Sequence, residues 1–303
     1  MKGEGIIGAA DTVTKAYIRK NEVFADAFNY FMYDGRQKIQ PEQLRELDST
    51  EIAILLNEKD TKDKTNKEKE ASEQKMVQKY RDLLKTATIM EDGEATYVLL
   101  GIENQTEVHY AMPVRNMLYD AMQYNQQVTE IAEKHKGKKG GKRQQKISTG
   151  EFLSGFYKNN KLIPVITLVL FFNPGEWDGP RSLFDMLDIS NPIFKKYAQD
   201  YKIHIISPKE ILESDLKKFS SSLREVIGCI KYSNDKNKLA AFIQDNPRMN
   251  IEVEAARVLE VITHTHIKRE EVDDMGNVNM CKAIQEMIQD GRDEGRVQLL
   301  VTL

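Results

Sequence analysis

Apolar residues recur along residues 10–33 at Tyr17, Val23, Phe24, Ala27, Phe28 and Phe31, a spacing that predicts one amphipathic helix closed by Asp34-Gly35. Residues 80–90 and 94–105 are instead rich in Leu, Ile, Val and Thr and are separated by Asp92-Gly93. Asp-Gly between two apolar runs predicts a two-residue type I′ connection and so fixes a hairpin register, with Glu91 facing Glu94 and Met90 facing Ala95. Upstream, Gln43-Leu44-Arg45-Glu46-Leu47 reads as a short strand paired with that hairpin, in preference to a brief turn leading into helix. Residues 57–75 carry Lys, Glu, Asp, Thr and Asn with almost nothing apolar, so they cannot bury a face and are expected to be a solvated insert.

A long helix is predicted over 112–133, opened by Pro113, with Val114, Met117, Leu118, Ala121, Met122 and Ile131 as its core-facing stripe. Arg115 and Tyr119 lie four apart on another face of it. Residues 162–172 form a continuous apolar run, the pattern of a strand buried on both faces, and are expected to be the central strand. Residues 201–206 predict one more strand, ending at Pro208, and beyond it 209–219, 222–232, 236–244, 251–263 and 279 onward all read as helix. The order predicts an α/β fold with a mixed sheet flanked by helices: a core over 1–208, holding the charged insert 57–75 and a basic loop at 135–146, then a helical C-terminal region over 209–303.

Composition narrows the options. The 303 residues are 30% charged but sum to a formal −3, so affinity for a polyanion must come from local basic patches and bound metal. Cys229 and Cys281 stand far apart with no CxxC, which fits inert thiols in a reducing compartment and argues against structural zinc. The start of the chain lacks a secretory apolar region and the longest apolar run is too short to span a bilayer, so a cytoplasmic protein with no membrane partner is expected.

The hairpin register carries the chemistry. Counting down the arms puts Asp82 opposite Glu103, their Cβ atoms within about 5.5 Å, and Gln105 on the same face. Two opposed carboxylates cost stability unless a cation is bound or one keeps its proton, so the pair is a candidate divalent-metal site. The plainer alternative is two solvated acids on a hairpin.

With the elements in this order, the chain resembles the PD-(D/E)XK nuclease core and, more narrowly, the recombination-promoting nuclease (Rpn) family, which is also transposase-like. The matching stretches are Asn21-Glu22-Val23-Phe24-Ala25-Asp26-Ala27-Phe28-Asn29-Tyr30, Leu44-Arg45-Glu46-Leu47-Asp48, Arg81-Asp82, Gly101-Ile102-Glu103-Asn104-Gln105, Met112-Pro113-Val114-Arg115-Asn116-Met117-Leu118-Tyr119, Ile163-Pro164-Val165, Trp177-Asp178-Gly179-Pro180 and Gly291-Arg292-Asp293-Glu294-Gly295-Arg296. The resemblance implies a metal-dependent DNA endonuclease linked to recombination or mobile elements, using Mg²⁺ or a substitute such as Mn²⁺ on DNA, expected to be double-stranded. Asp82 matches the family's metal-binding aspartate, Glu103 its second acid, and Gln105 the place where the wider superfamily carries lysine. A lysine there lowers the pKa of an attacking water, whereas glutamine only orients it.

On this reading Asp82, Glu103 and the main-chain carbonyl of Asn104 hold the metal, with Gln105 on the nucleophilic water and Asp26 as an outer-shell carboxylate. Arg115 and the loop residues Lys138, Lys139, Lys142 and Arg143 are candidate phosphate contacts, of the kind that position a duplex without reading its bases. Trp177 is expected to anchor a turn, and His264 and His266, at alternate helix positions, to point apart as surface residues. The apolar end at 297–303 suits packing on a second copy, a homodimer through the C-terminal helices. The contrasting expectation is a nuclease-like scaffold that no longer cuts and serves as a nucleic-acid-binding or protein-interaction module.

Overall fold

The computed structural model describes residues 3–47, 82–91, 94–137, 147–244, 246–263 and 272–281. The insert 57–75, the turn at Asp92-Gly93, loop residues Lys138, Lys139, Lys142 and Arg143, His264, His266 and the terminal stretch 282–303 lie outside them. The fold is mixed α/β: a five-stranded sheet in the order β1 (Arg45–Glu46), β2 (Leu83–Glu91), β3 (Glu94–Gln105), β4 (Val165–Phe171), β5 (His204–Ile206), flanked by helices. β1, β2 and β3 are mutually antiparallel, while β4 and β5 continue parallel to β3. The hairpin register is the expected one, with Glu91 opposite Glu94, Met90 opposite Ala95 and, at the far end, Leu83 opposite Ile102. The expected central strand, β4, is interior and buried, but the middle of the sheet is β3, whose residues Val98 to Asn104 are all buried.

Alternation along the strands divides the sheet into two faces. Leu83, Ala87, Ile89, Val98, Leu100, Ile102, Leu168, Leu170 and Ile206 point into the main core, with α1 (Gly3–Ile18) and α2 (Asn21–Tyr33). Leu84, Leu99, Val165, Val169 and Phe171 point the other way, under α3 (Met112–Gly137) and the Trp177 turn. Trp177 stands edge-on to Phe171 with ring centroids 5.2 Å apart, the anchor expected of it.

The predicted single helix over 10–33 is two helices broken at Arg19 and Lys20, with Lys20 extended at φ −60°, ψ 130°. A residue from the sheet breaks it. Lys85, on the core face of β2 and only 1% exposed, donates from its amino group to the Arg19 carbonyl and to Asn21 Oδ1, both at 2.6 Å, and lies over the Phe24 ring. A buried amine cannot go unpartnered, and the orphan carbonyls at a helix end are its best acceptors. The downstream stop is as expected, with Asp34 at φ 55° and Gly35 at φ 82°.

The buried face of α3 also departs from the hydropathy pattern. Val114 and Leu118 are exposed at 40% and 36%, while Met112, Asn116, Tyr119, Asp120 and Gln123 are buried against the sheet. That face of the sheet mixes polar partners with its apolar residues: Thr167 donates to Asp120 Oδ1 at 2.7 Å, Tyr201 donates to Asp120 Oδ2 at 2.5 Å, and the Val165 N–H donates to the Tyr124 hydroxyl at 3.1 Å. Hydrogen bonds at Asp120 and Tyr124 thus help to choose which side of α3 turns inward, beside the apolar burial of Met112, while the Asn116 side chain is buried without a hydrogen-bond partner among the described residues.

The region after 208 is less helical than expected. Residues 209–219 yield only a 3₁₀ turn, Glu213–Lys218, and a small antiparallel ladder joins β6 (Asn250–Glu252) to β7 (Asn277–Asn279), taking residues 251–252 and 279 from the edges of expected helices while the rest of 251–263 is helical. The helices α6 (Leu223–Tyr232), α7 (Lys236–Ile243) and α8 (Val253–Thr263) follow α4 (Thr149–Ser154) and the short α5 (Pro192–Lys195). Leu223, Val226, Ile230, Ala255, Val258, Leu259 and Met280 join the same core as α1 and α2. Among the described residues no helix is long and apolar enough to cross a membrane.

Asp26 belongs to this framework and not to the acidic pair. Its carboxylate, 1% exposed, accepts from the backbone N–H and hydroxyl of Ser220 and of Ser221, at 2.6–2.9 Å, and so joins α2 to the start of α6. Asp26→Ala would take the acceptor from four part-buried donors, and urea denaturation is expected to show a loss of about 1–3 kcal/mol with an unchanged slope.

The chain beyond residue 146 opens on a capping box, in which the Glu151 N–H donates to Ser148 Oγ and the Ser148 N–H donates to the Glu151 carboxylate, which also accepts the Lys158 N–H. The Ser148 and Lys158 backbone donors, in that order, hold the Glu151 carboxyl down to about 2. A depressed carboxylate pKa stabilises the fold above its ordinary value, and the stabilisation fades as pH falls towards the folded value. The amide resonances of Ser148 and Lys158 are therefore expected to shift with a midpoint near pH 2 and to stay constant above about pH 4.

Candidate active site at the end of the central strands

Asp82 lies one residue before β2, and the register that pairs Leu83 with Ile102 carries it opposite Glu103. The carboxylate seals the end of the ladder: Asp82 Oδ2 accepts the Asn104 backbone N–H at 2.9 Å, in place of the main-chain acceptor a longer strand would offer. In an extended strand a residue's N–H and C=O leave on the same side, so the Asn104 carbonyl also faces the Asp82 side. The Asn104 side chain points to the opposite helix, donating to Thr14 Oγ1 at 2.6 Å and Asp11 Oδ1 at 3.2 Å.

Glu103 is on the α3 face and fully buried. Its partner is Arg115, with Nε 3.1 Å from Glu103 Oε2, an ionic contact whose N–H is not aligned as a hydrogen bond. Arg115 rests over the Tyr119 ring at 5.6 Å, so the two residues four apart on α3 do associate, and they do so over the acidic pair. Burial works against the Arg115 charge, but the carboxylate of Glu103, then Tyr119 and Asp82, outweigh it and raise its pKa. Nearby, burial and then the Arg115 charge lower the His109 pKa.

The other cation was not anticipated from the sequence. Lys15 on α1 reaches Asp82 Oδ1 at 2.9 Å while also holding Asp11 Oδ2 at 2.8 Å, one turn back on its own helix. The i,i+4 spacing of Asp11 and Lys15 was legible, but not that α1 would set the pair against the end of β2. Two opposed anions thus have two internal cations, one from each flanking layer.

The donor types suit a hard divalent cation: two carboxylates from paired positions of the ladder and a main-chain carbonyl are oxygen ligands of the kind Mg²⁺ takes while keeping places for water and phosphate. Among the described residues no group of three or more His, Cys, Asp or Glu side chains converges to hold a metal. Gln105 follows two residues after Glu103 on the same face by alternation, half-buried, its carbonyl accepting the Phe172 N–H at 2.8 Å. A cavity of about 310 Å³ lies elsewhere, lined by Tyr30, Phe31, Ile206, Ser207, Asp215 and Lys218, and none of the predicted site residues borders it. Comparison with protein-family models, curated proteins and solved structures finds no match.

Removing one member of a buried ion pair strands the other charge. Arg115→Ala is expected to cost about 3–5 kcal/mol in urea denaturation, and adding Glu103→Gln to it to restore part of that loss in a double-mutant cycle.

Proposed function

We propose that the chain is a metal-dependent endodeoxyribonuclease of PD-(D/E)XK type that hydrolyses phosphodiester bonds, with Asp82, Glu103 and the Asn104 carbonyl as the ligands of Mg²⁺. The observation that carries this reading is the corner itself: two acids from opposed strands, held in one place by ladder register and by the Asn104 N–H on Asp82 at 2.9 Å. Resemblance to the recombination-promoting nucleases supplies double-stranded DNA as the polymer and recombination or mobile elements as the setting.

Bound Mg²⁺ would supply a Lewis acid at the scissile phosphate and a more acidic water. The chain's own residues do the rest. Gln105, sharing the Glu103 face, orients the attacking water by hydrogen bonding and brings no charge. Arg115 fixes the Glu103 carboxylate and adds positive potential where phosphorane charge develops. Lys138, Lys139, Lys142 and Arg143 hold the backbone of the duplex and make binding fall steeply with salt.

A second reading, a scaffold that binds without cutting, is favoured by one observation: Lys15 and Arg115 already neutralise the two acids. Nicking of supercoiled plasmid separates the two. With Mg²⁺ the wild-type protein is expected to nick, EDTA to stop it, and Asp82→Asn and Glu103→Gln each to lower the rate by roughly a hundredfold or more. Nicking that survives both substitutions would remove this site from the chemistry, and plasmid retention without nicking would favour the scaffold.

A further inference from the structure

The two internal cations are not equivalent. Arg115 is a planar group laid on the Tyr119 ring, against a carboxylate with no exposure. Lys15 is a compact charge on a flexible stem, with a side chain 40% exposed, and it touches two carboxylates at once: Asp82, 7% exposed, at 2.9 Å and Asp11, 42% exposed, at 2.8 Å. Moving Lys15 off Asp82 therefore costs it one partner of two, whereas moving Arg115 leaves Glu103 with a buried charge uncompensated by that helix.

Charge arithmetic points the same way. Asp11, Asp82 and Glu103 contribute −3 and Lys15 and Arg115 contribute +2, so the cluster holds −1. A divalent cation takes it to +1, and one phosphate group returns it to neutrality. With Lys15 gone the resting cluster is −2, a stronger cation trap that the added charge only neutralises.

We propose that Lys15 is an exchangeable counter-ion: it occupies Asp82 Oδ1 when no metal is bound, yields that oxygen to a divalent cation, and stays at the rim of the site on Asp11. This rests on the assignment of Asp82 as a metal ligand. The exchange keeps the acidic corner folded without metal and holds metal affinity below what the bare carboxylates would give, so that bound phosphate strengthens metal binding.

Calorimetric titration of the full chain with MnCl₂ tests the exchange without reference to cleavage. Lys15→Met is expected to bind Mn²⁺ about tenfold more tightly than wild type or better, equivalent to about 1.4 kcal/mol. Lys15→Arg is expected to stay within about threefold, and Asp11→Asn, which deprives Lys15 of its second partner, to bind more weakly. Thermal melts supply a second readout, in which Lys15→Met melts lower than wild type without metal and gains more from added Mn²⁺. Equal or weaker Mn²⁺ binding by folded Lys15→Met overturns the exchange, and if wild type nevertheless binds Mn²⁺ and nicks DNA, the nuclease assignment stands without it. If neither wild type nor Lys15→Met takes up Mn²⁺, the metal-dependent assignment falls and the exchange with it.

Discussion

The antiparallel ladder between β2 and β3 is the constraint on which the site depends. Because side chains alternate, a slip of one residue would send Glu103 to the α1 side and Asn104 to the α3 side, exchanging their partners. The ladder runs unbroken from Glu91 opposite Glu94 near the turn to its far end, where Asp82 accepts the Asn104 N–H. The carboxylate that terminates the ladder is therefore also one of the two acids assigned to the metal in the proposed function. On that proposal Asp82 serves the ladder and the metal with one group, so altering it for one purpose touches the other.

A corner of this kind has to solve an electrostatic problem before it can do anything else. Two carboxylates taken from water raise each other's cost of ionisation, and a protein can answer with a proton, a metal or its own cations. Here the flanking helices answer, Lys15 from one side of the sheet and Arg115 from the other. The arrangement places the helices themselves among the determinants of the site, since each delivers a charge that the strands cannot.

What was legible in the sequence was what local rules decide. The hairpin register followed from Asp92-Gly93, β1 from a short strand-like stretch, the end of α2 from Asp34-Gly35, and the pairing of Asp82 with Glu103 from counting. What was not legible is set by partners distant along the chain. The break after Ile18 goes with Lys85, 66 residues beyond Arg19, and the inward turn of Asp120 with Thr167 and Tyr201. Asp26 looked available for the site because its acceptor role is taken up only by Ser220 and Ser221, 194 and 195 positions away. Lys15 was hidden for the same reason. Apolar periodicity ranks faces by hydropathy and has no knowledge of a polar partner waiting across the layer.

The joint between α1 and α2 has a consequence for how α1 is held. Nothing in residues 3–33 bends the chain at Arg19, since it contains no proline and its glycines fall at the beginning. The bend is imposed by an amine rising from the sheet floor, so an excised 3–33 peptide has no reason to fold as two rods, while α1 itself lies chiefly against α8. The strand that begins just after Asp82 thus also fixes the joint behind the arm that carries Asp11, Thr14 and Lys15, and a helix from the far end of the chain supports that arm from behind.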